Sequence, residues 1–344
     1  MQTGIIGLPQ VGKTTLFKIL TRAHLDEKAA RAATHVGIAR VPEPRLEKLA
    51  EIYHPKKVTY ATVEYVDVGG MVKDRAKDSA VLAPLREVDA LAHVLRVFDD
   101  PAVAHPAGSI DPLRDAESLD LELMLTDLDQ IARRIERVEK DLKKKKEPQL
   151  EQEFVLLQHC KTAIESEKPL RELDLHPDER KLITGFKFLS QRPMLYVLNL
   201  GDDEVGELES AVERHKLAKL ASRPNTEVVS VCGRIEAELA ELEPAEATEL
   251  LAAYGLKSSG LDRLIHATSA QDTWNRFLAS HTSGDVRSIS IQNLVCKDAK
   301  SPCNDRLPDG SLARPDGTHY APAAASIVAR AVIDRALAVL RPRS

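Results

Sequence analysis

The stretch Gly7-Leu8-Pro9-Gln10-Val11-Gly12-Lys13-Thr14 fits G-x-x-x-x-G-K-[ST] in full. It follows the apolar run Thr3–Gly7 and opens a helical pattern, Thr14, Thr15, Leu16, Phe17. In that context the pattern marks a phosphate loop, not a glycine turn. Glycines let successive backbone N–H groups converge on phosphate oxygens, and the helix N-terminus adds a favourable field. Lys13 supplies a point charge to the β- and γ-phosphates and is a catalytic candidate; the Thr14 hydroxyl is placed to ligate Mg2+. The nucleotide-binding candidates here are Leu8, Pro9, Gln10, Val11, Gly12, Lys13, Thr14 and Thr15.

A strand–loop–helix of this kind belongs to an α/β fold, and the chain continues accordingly. Tyr60–Val68, Ala90–Phe98, Pro193–Leu198 and Glu227–Cys232 read as further buried strands of a mostly parallel sheet. Helical patterns such as Thr14–Leu20 and Pro244–Tyr254 fall between them, the alternation of a doubly wound domain. The strand ending at Val68 carries Asp67-Val68-Gly69-Gly70, a D-x-x-G. After a phosphate loop, Asp67 is the expected second Mg2+ partner, and Gly70 the N–H donor to a γ-phosphate. Met71 follows, a thioether that cannot orient a water.

Between about Ser118 and Lys187 the strand signal stops and two helical runs flank KKKKEP, an expected α-hairpin inserted in the sheet. Its tip, Arg133 to Glu147, holds eight Lys/Arg and four Asp/Glu, which suits either a solvated hairpin end or a contact to RNA or another acidic surface. The whole chain, 344 residues at a net charge of −5, is therefore not basic throughout, and specific DNA binding is not expected. No apolar stretch reaches the length of a membrane helix, and MQTGIIGLPQ lacks the basic n-region of a signal peptide. Cys160, Cys232, Cys296 and Cys303 contain no C-x-x-C pair. They are expected as reduced thiols of a cytoplasmic protein.

Longer stretches carry a resemblance. GLPQVGKTTLFKILT, HVGIARVPEPRLEKLAEIYHPKK, ATVEYVDVGGMVK, REVDALAHVLRVFDDP, PMLYVLNL, IEAELAEL and YGLKSSGLDRLI, in order up to about residue 267, resemble the Obg-like YchF ATPases, a branch of the translation-factor GTPases. The resemblance implies a P-loop domain, an inserted helical hairpin and a C-terminal TGS domain. It implies a slow, Mg2+-dependent, ribosome-associated NTPase, touching rRNA or a ribosomal protein. A hydrophobic residue in the place of Met71 is itself a family trait. The family reads the base with N-x-x-E and favours ATP, whereas most GTPases use N-K-x-D. Here Asn199-Leu200-Gly201-Asp202 ends on the shorter Asp202, a carboxylate able to read guanine, so both ATP and GTP stand as substrates. Asn199, Leu200, Asp202, Val231, Cys232 and Gly233 are the implied base contacts. His105, in the loop after FDDP, is the implied water-positioning residue.

Three places depart from the family pattern. Arg31-Ala32-Ala33-Thr34-His35-Val36-Gly37 stands where the family has T-I-E-P-N-V-G, so Thr34 lies three residues late. The second switch, GMVKDRAKDSAVLAP, is short of interior glycines. After about Ser280, where the family has its TGS domain, no TGS pattern is present; the turn-rich sequence there resembles the end of an SGNH hydrolase, with Asp316 and His319 as a D-x-x-H that lacks its serine block. The expected division is an NTPase domain over 1–117 and 188–280, a hairpin over 118–187 and an atypical segment over 281–344. The functional expectation is slow ATP or GTP hydrolysis; the alternatives are binding without hydrolysis and, from another class, a serine esterase.

Overall fold

The computed structural model describes residues 1–22, 34–55, 57–68, 79–145, 147–256 and 258–269. Six strands, β1 (Gln2–Ile6), β2 (Thr34–Arg40), β3 (Thr62–Val68), β4 (Ala90–Arg96), β5 (Met194–Asn199) and β6 (Thr226–Val231), form one sheet in the order β2-β3-β1-β4-β5-β6. All neighbours run parallel except β2, which is antiparallel to β3. The described helices before the hairpin are α1 (Lys13–Thr21), α2 (Pro44–Tyr53) and α3 (Ser79–Glu87). The hairpin helices α4 (Pro112–Lys144) and α5 (Pro148–Glu165) come next, then α6 (Pro177–Thr184). After β5 come the short α7 (Ala211–Arg214) and α8 (Ala218–Ala221), then α9 (Gly233–Glu241), α10 (Pro244–Ala253) and α11 over 260–269.

The central strands have no polar face because helices cover both sides. Every residue of β4 and β5 is buried, the continuous apolar run typical of a parallel sheet. Alternation sends Leu91, Leu95, Tyr196 and Leu198 to one core with Leu85 of α3 and Leu119 of α4. Ala92, Val94, Leu195 and Val197 go to the other, with Phe17 of α1 and Leu264 of α11. At about 1.5–3 kcal/mol for each large side chain buried, these two layers dominate the stability of the sheet.

The expected strands are present, shifted by a residue or two at their ends. β2 was not expected, for a physical reason. It is an edge strand among the described residues, with the small Ala39 and His35 buried while Val36 and Ile38 stay 61% and 60% exposed. Its alternation runs opposite to hydropathy and gives no strand signal.

The long helix starts at Pro112, earlier than the boundary at 118, because Asp111 caps it by accepting the Arg114 N–H at 3.0 Å ahead of a proline at the first turn. Thirty-three residues make it roughly 50 Å long. It packs on α5 through Met124, Ile131, Leu157, Cys160 and Ile164. Polar clasps hold the hairpin root. Asp127 accepts backbone N–H groups from Leu189 at 2.9 Å and Ser190 at 2.7 Å. Asp120 Oδ2 receives Arg171, Tyr196 and Arg223. Cys160 and Cys232 are free and buried; Cys296 and Cys303 lie outside the described residues. Among the described residues no helix is long and apolar enough to cross a membrane.

Candidate nucleotide site

The parallel strands end on one side of the sheet, bringing Gly7, Asp67, Asn199 and Val231 to a common rim, the usual ligand edge of an open α/β sheet. The loop between β1 and α1 has the backbone its glycines permit. Gly7 has φ +146° and Gly12 φ +96°, both in the positive-φ region that other residues rarely adopt. A Cβ on Gly7 would come within 2.6 Å of the Val94 carbonyl oxygen, and one on Gly12 within 2.5 Å of Asn199 Nδ2. Gln10 also sits at φ 63°. The N-cap of α1 is Gly12, which has no side chain to cap the first-turn N–H groups.

Lys13 folds back over this loop and donates to the Gly7 and Leu8 carbonyls at 3.0 and 2.6 Å. Burial pulls its ammonium down to about 8, against the pull of Asp67. Thr14 donates its hydroxyl to Asp67 Oδ2 at 3.0 Å, while the buried Asp67 Oδ1 has no partner among the described residues. Burial raises the Asp67 pKa, opposed by the Thr14 hydrogen bond and by Lys13 and His35. The base-side loop is tied to the phosphate side by one residue. Asn199 donates through Nδ2 to the Val11 carbonyl at 3.0 Å and accepts the Gly233 N–H on Oδ1 at 3.0 Å.

Residues 2–159 match the family described as 50S ribosome-binding GTPase. A Bacillus subtilis protein, ribosome-binding ATPase YchF, is 39% identical over 275 residues, covering 78% of this chain and 75% of its own. The Escherichia coli O157:H7 ribosome-binding ATPase YchF is 35% identical over 77% of this chain and 74% of its own. This chain belongs to the YchF family. The Schizosaccharomyces pombe YchF GTPase shares the fold, with a TM-score of 0.66 at 24% identity over 79% of this chain and 75% of that one.

The YchF residues expected from sequence separate into three groups. Leu8 through Thr15, Asp67, Asn199, Leu200, Asp202, Val231, Cys232 and Gly233 gather along the rim just described. Gly70 and Met71 lie outside the described residues, as do Arg31 to Ala33. Thr34 is the first residue of β2 and pairs in register with Val68, next to Asp67. The third group is His105. Its Nδ1 accepts the Ala107 N–H at 3.1 Å, and its Nε2 lies 3.1 Å from Asp115 Oδ2, both side chains 4% exposed. Arg114 holds the other Asp115 oxygen through Nε and Nη2 at 2.9 and 2.8 Å. Nε2 thus faces the first turn of α4, while Nδ1 is held within its own loop. Asp316, His319 and the rest of the 281–344 segment lie outside the described residues.

Two partners of the expected residues had no sequence signal. Asp115 is ten residues beyond His105 in a helical run, where an acidic first turn is ordinary. Arg234 forms an ion pair with Asp202 at 2.8 Å; only its position directly after Gly233 pointed to the base loop.

Proposed function

We propose that this YchF chain is a slow Mg2+-dependent nucleoside triphosphatase acting on ATP, with GTP as the competing substrate. The observation that carries this reading is Lys13 bound to its own loop carbonyls at the start of a helix with no side-chain cap. A triphosphate supplies better acceptors than two carbonyls and would draw the ammonium onto its β- and γ-oxygens. The metal site fits this chain: Thr14 Oγ1 and Asp67 are the residues that would hold Mg2+, and the buried Asp67 Oδ1, with no partner among the described residues, is an acceptor for a cation or its water. Bound there, Mg2+ would neutralise charge on the phosphate oxygens. Around it, Asn199 holds loop and base pocket in one piece.

Single-turnover hydrolysis of ATP and GTP, with and without Mg2+, tests the reading against Lys13→Ala. Equal rates in the two proteins would overturn it. A hydrolysis-silent nucleotide binder is the second reading, favoured by His105, whose buried ring accepts the Ala107 N–H and lies 3.1 Å from Asp115 Oδ2. Wild type binding ATP but turning it over no faster than the Lys13 variant would select that reading.

The relatives named ribosome-binding ATPases support a ribosome-associated role in the cytoplasm, with rRNA or ribosomal protein as partner. The proposed contact is the hairpin tip, where Lys143, Lys144 and Lys145 are exposed. Two of them are paired locally, Lys144 with Asp141 and Lys145 with Glu147, and exposed pairs of this kind exchange cheaply for phosphate. Reversing these three lysines to Glu should weaken co-sedimentation with ribosomes while leaving nucleotide binding intact. Unchanged co-sedimentation would remove the tip from the interface.

A further inference from the structure

Asp202 stands three residues after Asn199, on the base side of the site, and both of its oxygens are engaged. Oδ2 lies 2.8 Å from Arg234 Nη1, and Oδ1 accepts the Cys232 thiol at 3.5 Å. Guanine meets a carboxylate with two parallel donors, its N1–H and 2-amino group, which need two acceptor oxygens turned to the base. Adenine has an acceptor at N1 and no 2-amino group, so it makes no such demand. We propose that Arg234 is a specificity-determining residue, which caps Asp202 and withholds from guanine the acceptor pair that this carboxylate would otherwise present.

Placement supports this assignment. Arg234 directly follows Gly233, whose N–H is held by Asn199, so the backbone from which Arg234 projects is fixed by the same side chain that grips the phosphate loop. Cys232 keeps its proton, since burial pushes the thiol up to about 11, and it therefore remains a donor to Asp202 at neutral pH. The Arg234 side chain is 82% exposed and that of Asp202 42%, so the cap is a solvent-facing pair. Such pairs are worth up to about 1 kcal/mol, or roughly a fivefold change in an equilibrium constant.

The inference rests on the phosphate-loop reading, and the experiment separates the two. ATP and GTP are titrated against a fluorescent ATP analogue bound to the full chain. The proteins compared are wild type, Arg234→Ala, Asp202→Ala and the double variant. Arg234→Ala should raise the GTP-to-ATP affinity ratio roughly three- to fivefold, the gain appearing in GTP. The double variant should lose that gain, because it is Asp202 that reads the base. Raising salt should move the wild-type ratio towards the Arg234→Ala value by screening the exposed pair. An unchanged ratio in Arg234→Ala, or a gain that survives in the double variant, overturns the inference while ATP binding leaves the phosphate-loop reading standing. Failure of wild type to bind either nucleotide overturns both.

Discussion

Two buried aspartates, Asp67 at the sheet rim and Asp127 at the hairpin root, have the same chemistry and opposite accounts. Asp127 is fully enclosed and spends both oxygens on the Leu189 and Ser190 N–H groups; burial still pushes it up to about 6. Asp67 spends one oxygen on Thr14 and leaves the other buried with no partner among the described residues. A buried acceptor without a partner costs of the order of 1–3 kcal/mol. Asp127 is satisfied by the protein's own backbone at the hairpin root, whereas Asp67 at the rim keeps an acceptor for the proposed cation.

The contrast predicts that removing charge damages binding at the rim and stability at the root. The largest effect belongs to Lys13→Ala, which should lower ATP affinity by roughly a thousandfold through loss of charge-assisted bonds. Its nucleotide-free melting temperature should hold or rise, since a desolvated ammonium is removed. A variant that melts early would make Lys13 a structural residue and break the contrast. Next comes Asp127→Ala, which strands two buried N–H groups and should cost about 3 kcal/mol in denaturant unfolding, with ATP affinity unchanged while folded. Equal loss of binding and stability would mean that rim and root act as one unit.

Glu236 sharpens the contrast through pH. It lies under α11, where it accepts the Gly260 N–H at 2.5 Å. Burial pushes its carboxyl up to about 7 from 4.5, against the Gly260 and Leu261 N–H groups. A raised folded pKa means that the folded state takes up a proton between those values. Its contribution is complete below about pH 4.5 and is lost as pH rises through about 7. Glu236→Gln keeps an acceptor without the charge, so it should flatten stability across that window and exceed wild type at pH 8 by about 3 kcal/mol. Parallel pH curves for the two proteins would assign the dependence elsewhere. The smallest effect is expected for Asp67→Asn. It should reduce the Mg2+ enhancement of ATP binding about tenfold, equivalent to about 1.4 kcal/mol, without lowering nucleotide-free stability. A destabilised variant would place Asp67 with Asp127 among the closed groups.

The phosphate loop was legible in the chain because its function is local: eight consecutive residues set the backbone, and the cradle forms wherever a strand feeds them into a helix. The central strands were legible for a similar reason, since burial on both faces leaves an unbroken apolar run. β2 was hidden because an edge strand with exposed Val36 and Ile38 has no such run. The base loop was half legible. Asn199 and Val231 to Gly233 could be named from the resemblance, yet neither their closure on Val11 nor the capping of Asp202 by Arg234 could be.

Those contacts join residues 188, 34 and 32 positions apart, and their geometry follows from the order in which strands are laid side by side. His105 shows the same division. Its place in the loop was readable, while its closeness to Asp115 depends on where α4 starts and which way its first turn faces. Residue type and short-range spacing specify which groups are available for phosphate, cation and base. Which of their atoms are already spent, and which stay open for a ligand, depends on packing between distant segments, because a hydrogen bond needs its partner within about 3 Å and spacing along the chain does not set that distance.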